Sequence, residues 1–186
     1  RINEASNTAQ TGGNLALAEL MLQGETIRNR NKRSMAISAL RSWLFNQFVH
    51  ERLEDCEQKN RKISEAIHGD VLILSGSNSF FNCEAPDAMI QTRLRDQDIS
   101  LSAPLWGAGD LASSDAAQEL EQAIAERWPA QCQLLEQLGL KQERRALWLH
   151  PAKLQWQFQE NALVLDFFLS SGSYATSVIR ELLKPI

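Results

Sequence analysis

The residues best suited to chemistry in this chain are Gly172, Ser173 and Tyr174, at the head of the run Gly172-Ser173-Tyr174-Ala175-Thr176-Ser177-Val178-Ile179-Arg180-Glu181-Leu182. An apolar stretch, Leu163 to Leu169, comes just before; it is too short for a solitary helix and reads as a buried strand. Ser170 to Ser173 then supply turn and N-cap residues, so the spacing predicts strand, small-residue loop and a helix beginning near Ser173. Backbone N–H groups at such a helix start attract phosphate, and Gly172 lets the backbone come close. Tyr174, in the first turn at the mouth of a groove, adds a flat ring beside the same spot. A phosphate cradle next to a stacking surface suits a nucleotide. Tyr174 reads equally well as a core aromatic, and Arg180, two turns on, as a partner for a nearby carboxylate or a contact for RNA.

A second feature is electrostatic. The chain of 186 residues carries a net charge of −4, which argues against phosphate affinity. Yet Arg28, Arg30, Lys32 and Arg33 place four positive charges in six residues with no acid among them, leaving −8 on the remainder. One basic patch on an acidic body fits a protein that grips RNA along one face; the plain alternative is a solvated loop entering a helix.

Other groups that could do chemistry have structural explanations. Glu54-Asp55, Asp96 with Asp98, and Glu119 with Glu121 lie on charged, exposed-looking segments, where ordinary ionised acids are expected. Asp70 and Asp110 each follow a glycine and fit turn chemistry as well as catalysis. His50, His68 and His150 share no catalytic or metal-ligand spacing. Cys56, Cys83 and Cys132 are odd in number and far apart, so buried or idle thiols are expected rather than disulfides or a zinc site.

The elements that must hold these residues follow from periodicity. Leu15 to Gln23 should form a short helix ended by Gly24, and the basic segment links it to a long helix from about Ser34 to Asp55, with Ile37, Leu40, Leu44 and Phe48 as its apolar stripe. Strands are expected at Val71–Leu74 and Phe80–Cys83 around a turn, and a third at Ile99–Leu101, before a Gly-rich loop from Pro104 to Asp110. Pro86 should open a helix reaching about Arg95. Ser114 or Asp115 caps the next helix, which Pro129 interrupts and Gly139 stops. Leu154, Trp156 and Phe158 alternate with Gln155, Gln157 and Gln159, the pattern of a strand with one wet face, and Glu160-Asn161 turns it back as a hairpin. The class is α+β. With 44% hydrophobic residues and five Trp, the chain can bury a real core. It has no apolar run near the roughly 18 residues of a membrane span and no signal-like start, so a soluble cytoplasmic protein without a membrane partner is expected.

The run from Gly172 to Leu182 resembles the Gly-Ser-Phe-Ala-Thr-Ser-Val-Val-Arg-Glu-Leu signature of the tRNA pseudouridine synthase D (TruD) family. Further similarities follow in the family's order: Gly12-Gly13-Asn14, Arg30-Asn31-Lys32-Arg33-Ser34, Arg41 with Phe45-Asn46, and Glu51-Arg52-Leu53. Then come Gly69-Asp70 with Leu74, Gly76-Ser77 and Phe80, and Arg144-Arg145-Ala146-Leu147 with Pro151. The resemblance implies an insertion domain over residues 15–149, and a C-terminal hairpin and helix over residues 150–186 that complete a catalytic sheet. Residues 1–14 are left as an unmatched start or linker.

It also implies isomerisation of a uridine, uridine 13 of tRNA, to pseudouridine, with tRNA as partner and without metal or small-molecule cofactor. In the family the nucleophilic aspartate sits in a Gly-x-Lys-Asp motif of the N-terminal half. No Lys-Asp pair occurs in these residues, so no catalytic residue is assigned here and the missing N-terminal half becomes a required partner. Tyr174 stands where the family usually has Phe; Gly172, Ser173 and Tyr174 are then the substrate-binding residues, and Arg28, Arg30, Lys32, Arg33 and Arg180 the RNA-binding ones. The alternative is a catalytically inactive RNA-binding or interaction module.

Overall fold

The computed structural model describes residues 13–77, 79–169 and 173–182. The chain divides into two compact units, Arg1–Leu147 and Trp148–Ile186. The mixture of helices with antiparallel sheet is α+β, as the sequence indicates.

In the first unit, helix α1 (Asn14–Leu22) packs against α2 (Arg30–Gln58), which at about 1.5 Å per residue is roughly 43 Å long. Helix α2 begins four residues earlier than the apolar stripe suggests. Asn29 is its N-cap, with Oδ1 accepting the Lys32 N–H at 3.0 Å, so the basic segment is the helix's first turn rather than a linker. Buried Ala36, Leu40, Leu44, Phe48, Arg52 and Cys56 recur every fourth residue and put one row against the core.

Four strands, β1 (Asp70–Leu74), β2 (Phe80–Cys83), β3 (Ile99–Leu105) and β4 (Glu143–Ala146), form an antiparallel sheet in the order β2-β1-β3-β4. Leu72 pairs with Phe81 on one side and Leu101 on the other. Strand β3 runs past Pro104 instead of stopping at Leu101. The Leu101 carbonyl faces β4, where it accepts the Leu147 N–H, so by alternation the nitrogen of Pro104 faces away from β4, beyond the last β1 pair, where no ladder bond is lost. Helix α3 (Ala88–Arg95) is capped by Asp87, which leaves Pro86 before the helix rather than within it. Helices α4 (Asp115–Ala125) and α5 (Pro129–Gln137) flank Pro129, which occupies the first turn of α5. One apolar core gathers Leu40, Leu44, Phe48, Ile124 and Leu135; a second gathers Leu72, Cys83, Ile90, Ile99 and Leu101.

Two buried ion pairs tie these elements together. Arg52 and Asp70, 5% and 1% exposed, form a bidentate pair at 2.7 Å for both bonds, and Asp70 Oδ2 also accepts the Ile67 N–H at 2.7 Å. Burial works against the Arg52 charge, but the bond and charge of Asp70 outweigh it and leave the guanidinium more firmly protonated than usual. Arg144 grips Glu121 through 2.8 and 2.9 Å bonds, Ser113 donates to Glu121 at 2.6 Å, and Arg144 reaches the Ser102 carbonyl at 2.8 Å. Glu121 is therefore buried, not exposed as its charged surroundings suggest, because it shares the inner face of α4 with Ala117, Ile124 and Ala125. Gly69 has φ +81, and a Cβ there would lie 1.8 Å from the Ser114 carbonyl oxygen, so only glycine lets β1 start this close to α4.

The second unit is a two-stranded hairpin, β5 (Ala152–Gln159) and β6 (Ala162–Phe168), followed by α6 (Ala175–Leu182). Gln159 pairs with Ala162, so Glu160 and Asn161 alone make the turn, with Glu160 at φ 44 as such a tight hairpin requires. The 163–169 stretch is a strand over most of its length, but it is not buried. No described residue of this unit is buried, and Trp156 and Phe158 remain 65% and 76% exposed. The alternation is right, but two strands without a covering layer cannot bury either face.

Removing one partner of the Arg52–Asp70 pair strands a buried charge or donor. Arg52→Met and Asp70→Asn should each destabilise the first unit by about 3–5 kcal/mol, and Arg52→Met/Asp70→Leu should recover much of that loss. Urea titration followed by far-UV circular dichroism measures this; additive single effects would contradict the coupling. In hydrogen exchange, the amides of Leu72 and Leu101 should exchange roughly 100-fold more slowly than those of the β5–β6 hairpin. Equal protection in the two units would contradict the assignment of the core to the first.

Candidate functional site

In the second unit, the predicted cradle falls partly on Gly172, which lies outside the described residues. Ser173 is half-buried, and Tyr174 is 72% exposed. Helix α6 starts two residues later than expected: Tyr174 precedes it, and its carbonyl accepts the Ser177 N–H at 3.0 Å. The ring is held by the start of a helix yet left open to a planar ligand. Arg180 is exposed in the last turn, six residues and about 9 Å along the axis from Tyr174, where its charge complements the helix dipole.

In the first unit, Arg28, Arg30, Lys32 and Arg33 are all exposed, and none forms an ion pair among the described residues. Three of them lie in the opening turn of α2, which holds no acid. Cations at a helix N-terminus oppose the macrodipole, at a cost of about 0.3–1 kcal/mol each where exposed. The arrangement is unfavourable for the free helix, and a bound polyanion removes that penalty.

The remaining reactive groups are accounted for structurally. Asp70 is buried, with Oδ1 accepting from Arg52 and Oδ2 from Arg52 and the Ile67 N–H, so its carboxylate faces the fold rather than solvent. Asp55 is held below the usual carboxylate range: its partial burial acts upward, but Lys59 and Arg61 together outweigh it. Burial pushes the Cys132 thiol up to about 12, with Glu136 adding to it; burial also raises Cys83, with Asp70 and Asp87 adding. All three cysteines are free and buried, as expected. His68 Nδ1 lies 2.8 Å from the Glu84 carbonyl, and His50 Nε2 lies 3.4 Å from Glu54. Among the described residues, no three acidic, His or Cys side chains gather into a metal site, and no helix is long and apolar enough to cross a membrane.

The residues whose roles the sequence left unassigned are the arginines. Arg41 donates to the Trp106 carbonyl at 2.9 Å, the Leu105 carbonyl at 2.8 Å and Glu143 at 2.9 Å, and also to the Lys141 carbonyl, pinning α2 to the loop after β3 and the start of β4. Arg52 had a legible signal, a lone charge in an otherwise apolar every-fourth-residue row. Arg144 had none beyond its place in a short alternating strand.

A family model described as tRNA pseudouridine synthase D (TruD) matches residues 25–182. The tRNA pseudouridine synthase D of Pseudoalteromonas atlantica is 47% identical over 173 residues, covering 93% of this chain and 48% of that protein. The tRNA pseudouridine synthase D of Aeromonas hydrophila is 42% identical with the same coverage. The chain thus spans about half the length of the curated relatives it matches. A crystal structure of a candidate tRNA pseudouridine synthase D from Methanosarcina mazei superposes with a TM-score of 0.60 at 22% identity, over 83% of this chain and 38% of that one, a likeness of fold. With the family model spanning most of the residues and the motifs falling in the family's order, this chain belongs to the tRNA pseudouridine synthase D family.

Proposed function

We propose that this chain is the RNA-holding and base-stacking part of a cytoplasmic tRNA pseudouridine synthase that converts a uridine, uridine 13 of tRNA, to pseudouridine. Residues 15–149 serve as the insertion domain and residues 150–186 as the C-terminal part of the catalytic domain, with 1–14 leading in. The observation that carries this reading is Tyr174: a ring 72% exposed at a helix entrance, in the position of the family's stacking aromatic.

The reaction detaches uracil from C1′ of its ribose, rotates it and rejoins it through carbon, so atoms balance within the substrate. An aspartate supplies the covalent step in the family. No Lys-Asp pair occurs in this sequence, and the described acids are paired or solvated, so the nucleophile comes from polypeptide beyond these 186 residues. What this chain offers is binding. A flipped uracil has lost its stacking neighbours, and an aromatic face restores about 1–3 kcal/mol. The Tyr174 hydroxyl, absent from the usual Phe, adds one hydrogen-bonding group beside the base. The exposed apolar side chains of β5, β6 and α6 form the surface on which the N-terminal half completes its sheet, and Arg28, Arg30, Lys32, Arg33 and Arg180 hold the RNA backbone.

The chain alone should form no pseudouridine in a tRNA transcript, and adding a separately produced N-terminal half from a relative should restore turnover. In the reconstituted enzyme Tyr174→Ala should lower kcat/KM by about 5- to 150-fold, the range set by one stacking contact, whereas Tyr174→Phe stays within a few-fold. Multiple turnover by the chain alone would place the nucleophile here after all. Failure of both the chain and the mixture, with tRNA still bound, would favour a binding module without catalysis.

Replacing Arg28, Arg30, Lys32 and Arg33 by Ala should weaken tRNA binding by about tenfold or more. The slope of log affinity against log salt should become shallower by about 3 to 3.5, since each of the four phosphate contacts contributes about 0.7 to 0.9. Identical slopes for the parent and variant would rule out the basic turn as an RNA contact.

A further inference from the structure

Outside the basic turn, most cations of the first unit serve the fold. Arg41, Arg52 and Arg144 hold carbonyls and acids, Lys59 and Arg61 pair with Asp55, Arg93 with Asp98, and Arg127 with Glu51. Lys62 and Arg95 have no partner among the described residues. Both line one open recess of about 550 Å³ between the segment after α2 and helix α3. Its lining includes an apolar pair, Pro86 and Leu94, and two side chains able to read polar edges, Glu65 and Gln91.

The geometry points to a nucleotide site: we propose that this recess takes one unpaired nucleotide of the bound RNA, with its phosphate on Lys62 and Arg95. This rests on the RNA-holding reading above and adds a second, separate contact to it. The volume falls within the range of about 300–1,000 Å³ typical of small-ligand sites. Pro86 and Leu94 offer the apolar surface a base face needs, and Gln91 carries both a donor and an acceptor for its edge. A paired and stacked base has neither face nor its Watson–Crick edge free, so the site selects an unstacked one.

The recess is also prebuilt. Its 62–67 wall is braced from below by the buried ion pair: Arg52 Nη2 reaches the Glu65 carbonyl at 3.5 Å, Ala66 is buried, and the Ile67 N–H donates to Asp70 at 2.7 Å. The opposite wall is α3, fixed at its start by Asp87, which accepts the Ile90 N–H at 2.8 Å. The backbone walls need little ordering on binding, which leaves the exposed Lys62 and Arg95 side chains as the parts to be ordered. The recess and the basic turn sit at opposite ends of α2, since Lys62 follows its last residue, Gln58. The two grips are therefore roughly 40 Å apart along that helix, too far to share a phosphate.

The test uses the full 186-residue chain, a fluorescein-labelled tRNA transcript and free uridine 5′-monophosphate. Lys62→Ala/Arg95→Ala should weaken tRNA binding by about 5- to 20-fold, and its salt slope should become shallower by about 0.7 to 0.9, the share of one phosphate, while Lys62→Arg/Arg95→Lys stays near the parent. Both residues are exposed, so an unchanged thermal melt should confirm that the fold is intact. If the Ala pair binds tRNA like the parent while the variant lacking the four basic-turn cations loses affinity, the recess inference fails and the RNA-holding reading stands. If neither variant changes binding, both fail. If the free mononucleotide shifts NMR amide signals around the recess in the parent only, and tRNA affinity is unaffected by the Ala pair, the recess is a site for a free nucleotide and the inference is overturned.

Discussion

A guanidinium in the middle of an apolar helix face is tolerable only if a carboxylate meets it there, and Arg52 on α2 imposes this constraint on the first unit. The helix can bury its every-fourth-residue row only where Asp70, the first residue of β1, arrives with both oxygens aligned. That requirement fixes the start of β1 against the helix. It makes Gly69 obligatory, because the strand must pass under the Ser114 carbonyl to get there. The second pair, Arg144 with Glu121, is linked to the first through the sheet: Ser102 accepts from Arg144 and donates to the Val71 carbonyl at 2.5 Å, one residue from Asp70. Apolar packing draws these elements together without choosing a register, whereas a bidentate ion pair misaligned by one residue leaves two buried charges unmatched.

Function inherits this frame. The orientation of α2 decides where its basic opening turn projects, and the Arg52 pair shapes the segment that follows the helix. Much of the positive charge is absorbed by structural pairs, so the few cations left over stand out against an acidic body. Net charge therefore does not describe the surface; which cations the fold leaves without an internal partner does.

The second unit follows a different logic. Its hairpin alternates cleanly between apolar and polar residues, and it carries the sequence signature that ties the chain to its family. Yet none of its described residues is buried. An alternating pattern displayed on two strands and one short helix gives neither face of the hairpin a covering layer within this unit. Tyr174 ahead of α6 shares this exposure, with its ring 72% accessible.

The sequence by itself determined the secondary elements with strong periodicity, the hairpin at Glu160-Asn161 and the family, because each depends on local backbone chemistry or on a contiguous motif. It also marked the basic segment, although Asn29 capping turned the expected linker into the first turn of α2. Only the tertiary structure decided the rest. The extension of β3 through Pro104 depends on which neighbour strand has already ended. The burial of Glu121 depends on an arginine 23 residues away, and the roles of Arg41, Arg52, Asp70 and Arg144 as clamps depend on partners brought together by folding. Charge and burial are properties of pairs, and a pair separated in sequence has no local signal until the chain closes on it.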